Sequence, residues 1–275
     1  MRYNRALNFK ADISMTKIII FTGAGISADS GLQTYRGADG LWADERLERI
    51  CNFRVWKQHR LAVHEFYNSR RAELRTVQPN AAHAMVARLQ GAFDTTLITQ
   101  NVDDLHDRAA AHLTSPDILH VHGRLTHIMC TAQGCEPWSI GHDNWDAEDG
   151  RCPHCASIKG VKPDVVLFGE NAPHYKRMWK LLSKLTAKDI LLVIGTSGKV
   201  VDIGSIAAKT PATTILSNLE SSQDLSMPGA PCVEDRQFDH VIHGRAIDTA
   251  AEIETLVQTI VLRNARKSSA FKASA

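Results

Sequence analysis

The most restrictive feature of this chain is a short run, Lys17-Ile-Ile-Ile-Phe21, that passes directly into Thr22-Gly-Ala-Gly-Ile-Ser27. Apolar β-branched residues in a run this short predict a buried strand, and the glycines behind it predict a tight turn into a helix. The same alternation continues along the chain. Further strands are expected at 95–99, 118–122, 165–168, 190–194 and 213–216, and helices at 55–74, 80–90, 103–112, 174–185, 203–209 and 249–262. Strand and helix in turn imply an α/β fold, a doubly wound parallel-sheet (Rossmann-like) large domain. Its segments are 15–50, 78–123 and 163–262, with a helical insert at 51–77. Residues 124–162 break the rhythm, holding four of the six cysteines without sustained periodicity, and are expected to form a small inserted zinc-binding module. The ends, 1–14 and 263–275, are expected to be a flexible extension and a basic tail.

Composition narrows the class. Of 275 residues 44% are hydrophobic and 23% charged, which is ordinary globular usage. The formal charge of +2 is a cancellation: the two basic ends carry +2 and +4, and the body between them sums to −4. That balance gives no reason to expect a nucleic-acid partner. No apolar stretch approaches the roughly 18 residues of a membrane span, and the first 15 residues lack a secretory core. A cytoplasmic protein is expected. The arginines near the start make a mitochondrial placing the minor alternative, and Met15, just before the first strand, is a second possible start.

The cysteines divide by spacing. Cys130-x4-Cys135 and, sixteen residues later, Cys152-x2-Cys155 present two close thiolate pairs, as a tetrahedral zinc site requires. Four sulfur ligands leave no place for water, so the metal is expected to be structural. Two disulfides are the alternative, disfavoured for an intracellular chain. Cys51 and Cys232 have no other cysteine near them in sequence and are expected to be ordinary thiols.

Gly23-Ala24-Gly25 opens a dinucleotide fingerprint that Ala28 leaves incomplete, and no acidic ribose ligand follows a second strand. A hydride-transferring dehydrogenase is therefore disfavoured by the loop that suggests NAD. Thr99-Gln-Asn-Val-Asp103 closes another strand with directed polar groups, where open α/β sheets bind ligands, although Asp103 is equally a good helix cap. His122, ending a strand beside Gly123, is placed to act as a general base near neutral pH.

Taken together, these blocks resemble the sirtuin family over roughly residues 15–262. Gly23 to Gly31 with Tyr35-Arg36-Gly37, then 99–103, His122-Gly123, the four cysteines, Lys162 to Glu170, Gly195-Thr-Ser197 and Ser217-Asn-Leu-Glu220 follow in family order. Gln33, Tyr35 and Asp202 depart from the usual residues.

The resemblance implies an NAD-consuming protein-lysine deacylase acting on acylated-lysine proteins. The acyl oxygen attacks the ribose carbon as nicotinamide leaves, and the products are the free lysine and O-acyl-ADP-ribose. It assigns His122 as base on the ribose hydroxyls, Asn101 to orient the ribose and a water, and Asp103 to the nicotinamide amide. NAD contacts fall on Gly23, Ala24, Gly25, Ile26, Ser27, Tyr35, Arg36, Trp42, Gln100, Asn101, Val102, Asp103, Gly195, Thr196, Ser197, Asn218, Leu219, Glu220 and Ala246. Val165, Phe168, Gly169 and Glu170 form the edge that pairs with substrate backbone. Tyr67 and Arg70, three apart on one helix, match the pair that selects succinyl, malonyl or glutaryl lysine in class III members; a solvated helix face is the alternative. Mono-ADP-ribosyl transfer on the same scaffold is the nearest rival activity.

Overall fold

Ile18, Ile19, Ile20 and Phe21 are all fully buried, so strand β1 (Lys17–Thr22) has apolar neighbours on both faces. Successive side chains on a strand point to opposite sides, and here they divide between two cores. Ile18 and Ile20 pack with Met85 and Leu89 of helix α4 (Ala81–Ala92) and with Ile253 and Val257 of helix α8 (Ala246–Ala273). Ile19 and Phe21 pack with Met178 and Leu182 of helix α6 (Tyr175–Leu182) and with Ile203 of helix α7 (Ile203–Ala207). The computed structural model describes residues 16–32, 45–221 and 232–273.

Around β1 lies a six-stranded, wholly parallel sheet. On one side are β2 (Asp94–Thr99) and β3 (Asp117–His120); on the other are β7 (Ile190–Ile194), β8 (Thr213–Asn218) and β9 (His240–His243). The order β3-β2-β1-β7-β8-β9 means that the chain winds outward one way from β1, then returns to start again beside it at β7. Loops at the carboxyl ends of β1 and β7 therefore diverge and leave a crevice, the switch point at which such sheets hold ligands.

Strand β4 (Gly123–Cys130) leaves the main sheet for a second, three-stranded one, pairing antiparallel with β5 (Trp138–Ser139) and β6 (Val161–Val165). The expected strand at 165–168 is thus corrected: the continuous ladder stops at Val165, and Phe168 makes only an isolated parallel bridge to Asn52. Beyond it the amide of Val166 donates to His122 O and that of Phe168 to Cys51 O, so this segment spans the two halves of the molecule instead of joining a sheet.

The helical insert contains α2 (Glu45–Ile50) and α3 (Arg60–Leu74), joined by turns where helix was expected from residue 55. The short helices α1 (Gly25–Ala28) and α5 (Leu105–Ala109) complete the set of α-helices among the described residues. The predicted basic tail is also corrected, because α8 continues to Ala273, with Ala265 fully buried and Asn264 Nδ2 donating to Lys188 O at 3.1 Å. Ala, Arg and Lys without Gly or Pro favour continued helix, and cations suit its C-terminal dipole. Residues 1–14 lie outside the described residues.

Candidate active site

At the switch point three glycines let two loops touch. A side chain on Gly25 would sit 2.8 Å from Gly195 Cα, and one on Gly195, whose φ is +63°, would sit 2.5 Å from Ile26 N. The amides of Gly23 and Gly25 donate to Ile194 O and Gly195 O, at 3.0 and 2.9 Å. These glycines therefore weld the β1 and β7 loops together, while Ala24 between them faces the opening. Asn218 at the end of β8 braces the same place: its side chain accepts from Thr196 N at 3.1 Å and donates to Thr196 O at 3.0 Å.

The result is a cleft of about 780 Å³ lined by loops from the carboxyl ends of the strands. Of the expected NAD residues, Gly23, Ala24, Gly25, Gln100, Asn101, Val102, Gly195, Thr196, Ser197, Asn218, Leu219 and Glu220 line it. Ser27 and Asp103 instead line an adjoining cavity of about 20 Å³, which shares Ala24 and Asn101 with the cleft. Ile26 is fully buried in the core, and Ala246 packs there at the start of α8, neither lining the cleft. Tyr35, Arg36 and Trp42, with the departure at Gln33, lie outside the described residues.

The polar centre is a connected network. Ser27 Oγ donates to Asp103 Oδ2 at 3.0 Å and accepts from Asn101 Nδ2 at 3.1 Å. Asp103 Oδ1 accepts from Leu105 N at 3.1 Å in a turn just ahead of α5, whose cap position is Asp104, so the capping reading of Asp103 is corrected by one residue while its carboxylate faces the cavity. Burial pushes this carboxyl up to about 6, against the pull of those two donors. His83, 3.3 Å from Ser27 Oγ, is pushed down to about 4 by burial and so stays neutral. His122 reaches the cleft from just past β3, its Nδ1 3.0 Å from Gln100 O and its Nε2 2.8 Å from the hydroxyl of Tyr175. A carbonyl can only accept, so Nδ1 carries the proton and the Nε2 lone pair, at the wall of the cleft, accepts from the Tyr175 hydroxyl.

Val165, Phe168, Gly169 and Glu170 line one rim of the cleft. Glu170, however, points inward: Oε2 accepts from Leu167 N at 2.9 Å and pairs with the buried Lys162 ammonium at 3.1 Å, and that ammonium also donates to Val165 O at 2.8 Å. The rim is thus held from below by a buried ion pair.

Tyr67 lines the cleft near Cys51, whose thiol burial pushes up to about 12. Arg70, 7% exposed, lines the smaller cavity and pairs with Glu73 one turn along. The helix bearing them is fixed by its neighbours: Arg71 donates to Asp143 O at 3.0 Å and Leu125 O at 3.1 Å, and Asn68 exchanges hydrogen bonds with the backbone of Trp145. Sequence reasoning missed Tyr175 and Asn171 and gave Lys162, which opens one of the matched blocks, no role of its own; none carries a spacing signal for its place in or under this site.

Some distance along the chain, the sulfurs of Cys130, Cys135, Cys152 and Cys155 lie within 4.8 Å of one another. Cys130 to Cys155 is 3.7 Å and Cys135 to Cys152 is 3.8 Å. A tetrahedron of Zn–S bonds near 2.3 Å has edges of about 3.8 Å, so the four sulfurs fit zinc. His154 is not part of the group.

A doubly wound sheet with a ligand crevice at its switch point and a four-thiolate module defines a dinucleotide-binding fold with a metal-stapled insert. Its lineage is specific. The chain belongs to the Sir2 family, whose model matches residues 23–202. It is 37% identical over 263 residues to the NAD-dependent protein deacylase of Helicobacter hepaticus, covering 87% of this chain and 96% of that one. The NAD-dependent protein deacylase of Bdellovibrio bacteriovorus is 42% identical over 190 residues, 66% of this chain and 75% of its own. Among solved structures, a Sir2 homologue–NAD complex superposes with a TM-score of 0.69 at 28% identity, covering 96% of this chain and 94% of that one. An ADP-ribose complex of a Sir2 homologue mutant gives 0.70 at 28%, covering 95% and 96%.

Proposed function

We propose that this protein is an NAD-dependent protein-lysine deacylase with a preference for acyl groups that end in a carboxylate. Its family, its deacylase relatives and the dinucleotide-sized cleft support the activity. NAD is the co-substrate. Zinc, when bound by the four cysteines, supplies a structural cross-link and no chemistry at the cleft.

Each polar group then has a task. Asn101, which borders both cavities, and Asp103, which lines the smaller one, are fixed through Ser27 and orient the ribose and the nicotinamide amide as the acyl oxygen displaces nicotinamide. His122 acts next, its Nε2 lone pair taking the proton of a ribose hydroxyl. The rim from Val165 to Glu170 pairs with substrate backbone and passes the acylated side chain inward.

The acyl preference rests on one observation: Tyr67 and Arg70 sit on walls of two adjoining cavities that share Ala24 and Asn101. A buried guanidinium needs an anion, and here its partner is Glu73, whose side chain is 44% exposed and free to turn outward. An incoming succinyl or malonyl carboxylate replaces it, with the Tyr67 phenol as second donor. Charge-assisted bonds of this kind are worth about 1.5–3 kcal/mol each. Arg70→Met is therefore expected to lower the succinyl-to-acetyl ratio of kcat/KM about tenfold to a hundredfold on matched peptides. An unchanged ratio would show that the pair is only a helix-surface contact.

A further inference from the structure

Tyr175 opens helix α6 directly after the rim of the cleft, lines that cleft, and meets His122 Nε2 at 2.8 Å. We propose that Tyr175 is the positioning residue of His122; the assignment rests on the reading of His122 as the base. Because Gln100 O fixes the proton on Nδ1, Nε2 has only a lone pair to offer and the Tyr175 hydroxyl must be the donor. Burial raises the phenol above its ordinary value, so it keeps that proton at neutral pH. Two opposed contacts, carbonyl on one nitrogen and phenol on the other, leave the imidazole one tautomer and one orientation.

The same hydroxyl serves after the proton moves. The ribose hydroxyl first displaces the Tyr175 O–H from the Nε2 lone pair; its O–H bond then breaks, an Nε2–H bond forms, and Nε2 becomes a donor. The phenol oxygen, turned about its C–O bond, then accepts from it. A phenylalanine can do neither, yet it keeps the ring, which packs edge-on against Trp179 at 6.3 Å and on the core beneath α6. Tyr175→Phe thus removes the hydroxyl alone.

The test has two independent arms. In the first, nitrogen NMR of isotope-labelled histidine compares wild type and Tyr175→Phe without any substrate. The His122 Nε2 resonance is expected to move toward that of an unbonded imine nitrogen, with Nδ1 still protonated; identical spectra would overturn the contact. In the second, nicotinamide exchange into NAD and formation of deacylated peptide are followed separately. Exchange precedes the work of His122 and is expected to stay within about twofold. Deacylated product is expected to form at least about tenfold more slowly, with the KM for peptide unchanged. Equal loss in both steps, or no loss in either, would overturn the assignment. Wild-type protein that exchanges no nicotinamide with any acyl peptide would contradict the deacylase reading instead, and the NMR arm would still decide the contact.

Discussion

Asp103 illustrates how a single buried group couples site to stability. In the unfolded chain its carboxyl titrates near 3.8, while burial in the fold holds it at about 6. Between those values the folded state binds the extra proton. The stabilising contribution of this group is therefore fully present below about pH 4 and is lost as pH rises through about 6. Asp103→Asn cannot titrate. Relative to wild type, its melting temperature is expected to improve steadily between about pH 4 and about pH 7, read by thermal denaturation. A difference that stays constant across that range would contradict the assignment. The site thus keeps an ionised carboxylate beside the cleft at neutral pH against the preference of the fold, a cost that function explains and packing does not.

At the scale of elements, helix α3, which carries the proposed acyl-recognition pair Tyr67 and Arg70, is tied to the four-cysteine module. Asn68 and Arg71 bond the backbone at Trp145, Asp143 and Leu125, and those residues flank the cysteine strands. Purified protein is expected to carry about one equivalent of zinc, and Cys152→Ala to lose it together with roughly 5–10 °C of melting temperature. Metal analysis and a thermal melt check both; zinc-free wild type with the variant's melting temperature would contradict it. The elements also separate what was legible in the sequence from what was not. Central strands such as β1 and β7, apolar on both faces, and cysteine pairs at ligand spacing announce themselves locally. The edge strand β9, His240-Val-Ile-His243, is too short and too polar to do so. Segment 165–168 has strand composition, but its amides find partners at Cys51 and His122, a choice set by distant chain. The polar residues of the site were legible as strand ends. Tyr175 and the inward turn of Glu170 were not, because each depends on a neighbour that only the fold supplies.

Over the whole molecule, the winding reversal at β1 and β7 is what makes a site possible. It parts the loops, the glycine contact between them fixes their separation, and residues from five strand ends meet across one opening. Among the described residues no helix is long and apolar enough to cross a membrane. The central claim is that this cleft couples NAD cleavage to removal of a lysine acyl group, most readily an acidic one. Incubation with NAD and matched acetyl- and succinyl-lysine peptides, following nicotinamide and peptide mass together, tests it most directly. The account predicts one nicotinamide released per lysine unmasked, with the succinyl peptide turned over faster. Absence of nicotinamide release with every acyl peptide would contradict it.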